Sequence, residues 1–284
     1  MNFIDLYVRE GRYGNKPPII PGQEAAGTVV ALGADVSHLK KGDRVAWCGV
    51  LGTYAKYALA PASRVVPLPA GISFEQAAAV LLQGMTAHYL SHSAYPIQSG
   101  DEVLIHAGAG GTGLLLTQMA KLRGARVLTT VSNEEKALLS LQAGADEVIL
   151  YTQSDFAAEV KRLTDGRGLA TVYDSVGEGT FEQSLTCLRP RGTLVLYGSA
   201  GGDIPPFDLI RLASLGSLYV TRPVLRDYTL TREELVMRAT EVFHTVAAGK
   251  LRLRMERAYS LGEAAQAHRD LESRKTAGKL LLLP

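Results

Sequence analysis

Between His106 and Lys136 the chain reads HAGAGGTGLLLTQMAKLRGARVLTTVSNEEK, and three of its glycines, Gly108, Gly110 and Gly113, have the spacing GxGxxG. That spacing carries chemistry when it joins a strand to a helix, and here VLIHA precedes it and LLLTQMAKL follows it. Gly108 is expected to allow the tight turn, Gly110 to let a pyrophosphate approach the backbone, and Gly113 to let the helix pack on the strand. The first helical amides then face the phosphates. In an NAD site the second strand ends in Asp or Glu, which accepts from the ribose 2′-hydroxyl, whereas here RVLTTV runs into Ser132-Asn133. Ser132 can donate to a 2′-phosphate, and Lys136, one helical turn later, can add a charge-assisted bond. Together these residues predict NADPH, against the opposing charges of Glu134 and Glu135. A solvated first-turn lysine is the alternative reading of Lys136.

The elements that must position these groups follow from the pattern. From Asp101 onward apolar runs (VLIHA, RVLTTV, EVILY, ATVYDSV, TLVLYGS, SLYVTRP) alternate with helical stretches, which predicts an α/β fold with a six-stranded, doubly wound parallel sheet. In such a sheet the ligand lies outside the carboxyl ends of the strands. Tyr151, ending the third strand, is placed to lie against an adenine or to be a half-buried strand-end tyrosine. Ser175 and Gly177 end the fourth strand and Tyr197, Gly198 and Ser199 the fifth, small residues that would admit the nicotinamide half.

Upstream, from Gly22 to Pro69, short β-rich runs (GTVVAL, DRVAW, SRVVPL) broken by Gly, Pro, Asp and Ser predict a small antiparallel barrel or sandwich. Ser73 is the expected N-cap of an Ala-rich helix that crosses between domains. After Pro223 the pattern predicts a helix from about Thr231 to Ala248, a short helix near Glu263 to Leu271, and a last strand KLLLLP that returns to the first domain.

Composition excludes several classes. The 284 residues carry 46% hydrophobic and 20% charged side chains, with a formal net charge of +2 that no run concentrates. Nothing reads as a membrane span, a basic leader or a nucleic-acid stripe, so the cytoplasm is expected. Two cysteines, Cys48 and Cys187, form neither a disulfide framework nor a four-thiolate zinc site, and the six histidines show no ligand spacing. His88 and His92, at i and i+4, lack an acidic or thiol neighbour. Hydride transfer without metal would rest on positioning and on a proton from solvent or a hydroxyl.

At this point the blocks NFIDLYVREG, GQEAAGTVVALG, GDRVAW, GTYAKYAL, ISFEQAAAVLLQGMTAHYL, HAGAGGTG, VYDSVG, GSLYVTRP, TREEL and ESRKTAGKLLL resemble, nearly end to end, the zinc-free NADPH:quinone oxidoreductases of the medium-chain dehydrogenase/reductase superfamily, the quinone reductase and zeta-crystallin group. The resemblance implies a GroES-like β-rich substrate domain split between residues 1–86 and 226–284, around a Rossmann domain at 87–225. It implies an interdomain cleft lined by Phe3, Ile4, Asp5 and Tyr7, with Asn2 next to the nicotinamide and Tyr7 the candidate hydrogen-bonding group at the substrate. Thr86 and Tyr89 would reach the cofactor. Gly110 and Gly111 would hold the pyrophosphate, Ser132 and Lys136 the 2′-phosphate, and Tyr151 the adenine side. Ser175, Tyr197, Gly198, Ser199, Ala200, Val220, Thr221, Arg222 and Arg274 would complete the site.

Zinc relatives carry a histidine before the glutamate of the GxE block, and here that residue is Gln23. The resemblance further implies a homodimer closed through GSLYVTRP. Family members begin upstream of NFID with strands that complete the first domain, so that domain is expected to be shortened. The function implied is NADPH-dependent hydride transfer to quinones or related α,β-unsaturated carbonyl compounds. The alternatives are a 2-alkenal or enoyl reductase and an NADPH-binding protein with little turnover.

Overall fold

Asn2 donates its backbone N–H to the Asp5 carboxylate at 2.9 Å, and this reciprocal start sets helix α1, Phe3–Arg9. The computed structural model describes residues 1–12, 14 and 16–284. They divide into two compact units, Met1–Met85 with Tyr228–Pro284, and Thr86–Asp227.

In the first unit, β1 (Glu24–Thr28) pairs antiparallel with β2 (Arg44–Cys48), which pairs antiparallel with β3 (Val65–Pro67). The expected strand GTVVAL overlaps β1 only at its start. Val29 donates to Asp43 and accepts from Gly42, which closes the ladder in a turn, and Val30 and Leu32 beyond it are exposed. The expected barrel or sandwich also needs correcting, because the described strands of this unit form a three-stranded antiparallel sheet and a separate two-stranded pair. The segment GTYAKYAL pairs with no named strand; Tyr54 packs on the core around Leu6, while Tyr57 and Leu59 are exposed.

Helix α2 (Phe74–Tyr89) opens with a full capping box. Ser73 Oγ accepts from Gln76 N at 3.1 Å and Gln76 Oε1 accepts from Ser73 N at 2.9 Å. The boundary of the units falls inside α2, and a π-helical turn, Leu90–Ala94, follows it.

In the second unit β4 (Glu102–Ile105), α3 (Gly111–Leu122), β5 (Arg126–Val131), α4 (Glu134–Gln142), β6 (Glu147–Leu150), α5 (Phe156–Leu163), β7 (Leu169–Asp174), α6 (Phe181–Thr186), β8 (Leu188–Leu196), α7 (Ile210–Ser214) and β9 (Tyr219–Thr221) follow in turn. The six strands are all parallel in the order β6-β5-β4-β7-β8-β9, so the chain reverses direction across the sheet beside β4. Leu104, Leu128, Val172 and Leu194, one from each inner strand, are fully buried, as strands covered on both faces require.

The chain then re-enters the first unit. Helix α8 (Arg232–Ala247) is capped by Thr231 and Glu234 in a second capping box, and β10 (Met255–Ser260), α9 (Ala264–Glu272) and β11 (Lys279–Leu283) complete it. Strand β11 lies parallel to β10, and Leu280, Tyr259, Ala267 and Leu271 pack with Leu6 of α1 in one core.

His106, one residue past β4, is fully buried with Nδ1 2.8 Å from Thr130 Oγ1 and Nε2 2.9 Å from Ser184 Oγ. Burial pushes its pKa below the ordinary value, with the Asp174 charge opposing. The neutral ring fits because one nitrogen donates and the other accepts, and each hydroxyl rotates to suit. A depressed folded pKa leaves this stabilisation whole above the unfolded value near 6.5, and acid then erodes it by about 1.4 kcal/mol per pH unit down to the lowered folded value. His268 is shifted the same way. The histidine contribution to the melting temperature is therefore expected to be flat above pH 7 and to fall as the pH drops below 6.5, with His106→Asn flattening part of that fall. An unchanged acid slope in the variant would show that His106 does not titrate on unfolding.

Candidate active site

The glycine turn is built differently from its expected form. The positive φ of the turn, 52°, belongs to Ala107, while Gly108 is absent from the left-handed region. Gly108 is required for room, because a Cβ there would lie 2.6 Å from Thr129 Cβ and 2.8 Å from Ser140 Oγ. Its amide donates to Thr130 O at 3.1 Å, which ties the turn to β5. Gly110 caps α3 in an extended conformation, and its amide donates to Ala107 O at 2.9 Å. A Cβ on Gly113 would meet that same carbonyl at 2.3 Å. Helix α3 thus starts in backbone contact with the end of β4, and its first amides are the orphan donors that a pyrophosphate satisfies.

At the tip of β5 no carboxylate intervenes before Ser132 and Asn133. Asn133 caps α4, its Oδ1 accepting from Lys136 N at 2.9 Å. The Lys136 side chain is half-buried, which lowers its pKa, and Glu135 pulls it back up. Thr152 Oγ1 donates to Ser132 O at 2.9 Å and Tyr151 N to Val131 O at 3.2 Å, so the segment carrying the exposed Tyr151 ring is fixed beside Ser132.

The loops after β7 and β8 are fastened to each other. Ala200 N donates to Ser175 O at 3.0 Å and Gly201 N to Val176 O at 2.6 Å. A Cβ on Gly198 would lie 2.7 Å from Ser175 O, and one on Gly177 would lie 2.4 Å from Gly202 O. The sequence reading missed the residue that organises them, Asp174. Its buried carboxylate accepts from Val176 N at 2.7 Å, Gly177 N at 3.1 Å and Thr180 Oγ1 at 2.7 Å. An acid ending an otherwise apolar strand was the available signal. Burial pushes the Tyr197 phenol up to about 12. Arg222, just past the β9 residues Val220 and Thr221, reaches Leu196 O at 3.4 Å. Thr86 and Tyr89, on α2, are buried, Tyr89 to 1% exposure, so its ring presents almost no surface for a ligand in this form.

Of the residues assigned to the first unit, Asn2 and Asp5 are buried, and Phe3, Ile4 and Tyr7 half-buried. The Arg12 guanidinium lies 4.9 Å from the centre of the Tyr7 ring. Asp5, expected at the cofactor, is turned inward, where one carboxylate oxygen accepts from Asn2 N and from Tyr54 Oη at 3.1 Å. Its other oxygen is buried without a hydrogen-bond partner. Arg274 is exposed and holds φ 56° in the turn after α9.

The Asn2 amide sits in a buried polar network that the sequence did not reveal. Its nitrogen donates to Glu24 Oε2 at 2.8 Å, and its oxygen accepts from Lys279 Nζ at 2.8 Å and Gln83 Nε2 at 3.2 Å. Glu24 also pairs with Lys279 and accepts from Leu82 N at 2.6 Å.

Residues 1–70 match the family model described as alcohol dehydrogenase GroES-like domain, and residues 111–238 match the one described as zinc-binding dehydrogenase. The quinone oxidoreductase of Pseudomonas aeruginosa is 45% identical, with 100% of this chain aligned to 88% of that protein. The chain belongs to the quinone oxidoreductase family of medium-chain dehydrogenases/reductases. The crystal structure of Escherichia coli quinone oxidoreductase complexed with NADPH superposes with a TM-score of 0.96 at 44% identity, covering 100% of this chain and 88% of that one. A 2-haloacrylate reductase from Burkholderia is 39% identical over 100% of this chain and 88% of its own length.

The zinc in one model's description does not fit the residues of this quinone oxidoreductase family member. Gln23 stands before Glu24, and Cys48 and Cys187 are both buried free thiols. Among the described residues no three His, Cys, Asp or Glu side chains converge.

Gly113→Ala is expected to cost about 1–3 kcal/mol in urea unfolding and to abolish nucleotide binding, because the added carbon meets a backbone carbonyl that cannot rotate away. Wild-type stability with wild-type NADPH affinity would refute the close-approach argument.

Proposed function

We propose that this chain is an NADPH-dependent reductase of quinones and related α,β-unsaturated carbonyl compounds. The observation that carries this reading is the turn at residues 107–113, which leaves no room for a Cβ where a pyrophosphate would lie, followed by a strand tip with no acid. Full-length likeness to quinone oxidoreductases supports the acceptor class. Bound NADPH supplies a hydride, and the chain's own residues bind and orient.

In this reading the first amides of α3 hold the pyrophosphate, Ser132 and Lys136 the 2′-phosphate, and Tyr151 flanks the adenine. The fastened loops at Ser175 and Tyr197 to Ala200 form the floor of the nicotinamide half, with Val220, Thr221 and Arg222 beside them. Thr86 and Arg274 stand as further cofactor contacts, and Asn2 and Tyr7 as polar groups at the reacting end. The unit from Thr86 to Asp227 is the nucleotide domain and the other the substrate domain. Chemistry proceeds without metal, since hydride transfer to an electron-poor carbonyl needs placement more than Lewis acid. NADPH is an intracellular reductant, and the reading carries a cytoplasmic location with it. The 2-haloacrylate reductase relative favours a second acceptor class, electron-poor alkenes conjugated to a carboxylate.

We also propose a homodimer through β9. This edge strand pairs only with β8 among the named strands, and Tyr219 on it and Leu209 and Ile210 nearby in sequence are more than 60% exposed. A second copy would cover the open edge.

Titration with both nucleotides, followed by a simple quinone, tests the activity. NADPH should bind and be oxidised only when quinone is present, and Lys136→Ala should weaken NADPH by about tenfold or more with little change for NADH. Equal losses would remove the phosphate role of Lys136. Gel filtration should give twice the chain mass, and a monomer would refute the β9 interface.

A further inference from the structure

The Glu24–Lys279 pair plays no part in the reading above, yet both side chains are almost sealed from solvent, at 1% and 3% exposure. A buried ion pair is a weak way to add stability, and its best-attested use is to select one arrangement over others. Here the arrangement selected is that of the Asn2 amide. A carboxylate only accepts and an ammonium only donates. The amide atom 2.8 Å from Glu24 Oε2 must therefore be nitrogen, and the atom 2.8 Å from Lys279 Nζ must be oxygen. Gln83 fills the second lone pair of that oxygen at 3.2 Å. Leu82 N, holding the other Glu24 oxygen at 2.6 Å, keeps the carboxylate from rotating. Asn2 is left with one N–H and no capacity to accept.

We infer that Glu24 and Lys279 are positioning residues that lock Asn2 as a one-way hydrogen-bond donor to a carbonyl oxygen of the quinone. The inference rests on the placement of Asn2 at the reacting end. Hydride from NADPH bonds to one quinone oxygen, the π electrons shift through the ring onto the other carbonyl oxygen, and the nucleotide leaves as NADP+. The remaining Asn2 N–H bonds to this developing oxyanion, and a solvent proton completes the hydroquinone. Such a donor acts most on the charged transition state, so its loss falls on kcat.

The decisive variant is Asn2→Asp combined with Glu24→Gln. It moves one carboxylate from residue 24 to residue 2 and keeps the net charge. The carboxylate introduced at residue 2 would accept from Lys279 and from the amide introduced at residue 24, whose oxygen Leu82 N still holds, but it offers no N–H, and the new amide turns its NH2 toward Lys279 at a cost in stability. The double variant should melt below wild type yet fold and bind NADPH within about threefold of wild type while kcat falls about a hundredfold. A folded, NADPH-binding double variant with kcat within about threefold of wild type overturns the inference.

Should the double variant fail to fold, Lys279→Met removes one of the two donors that hold the Asn2 oxygen and Lys279→Arg keeps a donor against it. Loss of kcat in the first and recovery in the second, at constant NADPH affinity, supports the lock, and equal kcat in both overturns it. A wild-type chain that leaves NADPH unoxidised in the presence of quinone refutes the functional reading itself, and the inference with it.

Discussion

The contact on which the second unit depends is that between the Ala107 carbonyl and the first turn of α3. This one oxygen accepts from Gly110 N and would lie 2.3 Å from a Gly113 Cβ. To present it, Ala107 takes φ 52°, a conformation that costs a residue with a Cβ about 1 kcal/mol or more and persists only where its surroundings over-determine it. Here Gly108 N holds Thr130 O on one side, and the buried His106, bonded to Thr130 and Ser184, anchors the other. The strain keeps the amides of α3 aimed along one line. A helix that packed a few tenths of an ångström further out would leave them unaimed.

The sheet that supports this turn was legible because parallel strands covered on both faces must be continuous apolar runs, and each of the six is bounded by Gly, Asp or Ser. The capped helices were legible for a similarly local reason, since Ser73 with Gln76 and Thr231 with Glu234 are bonds between residues three apart. The first unit obeys no such local rule. Strand β1 is half-exposed along most of its length with no clean alternation, and β3 has three residues. Strands β10 and β11 are a parallel pair whose register only the packing of α9 and α1 determines.

The same distinction explains what the candidate site revealed and withheld. Gly113 and Ser132 act next to residues that neighbour them in sequence, and a pattern can carry that. Glu24, Gln83 and Lys279 meet Asn2 across separations of 22 to 277 residues, and nothing in the string marks them except a glutamate in a GxE block and a lysine heading KLLLL. Gly108 shows the limit of a motif even where it holds. The glycine is required, but to make room for Thr129 and Ser140 and not to supply a left-handed turn.

Two buried carboxylates solve the cost of desolvation differently, and the difference follows their tasks. Asp174 is satisfied by two backbone amides and a hydroxyl within six residues of itself, so its charge fixes the shape of its own loop. Glu24 needs Lys279, brought from the far end of the chain, and the two charges determine which way a neighbouring neutral amide faces. A neutral amide held this way can donate to an oxyanion without bringing a charge of its own. It polarises a carbonyl less than a cation would, but it remains in place when the product leaves. For an acceptor as electron-poor as a quinone, a weak donor held at fixed orientation is sufficient, because hydride transfer to it demands alignment more than activation.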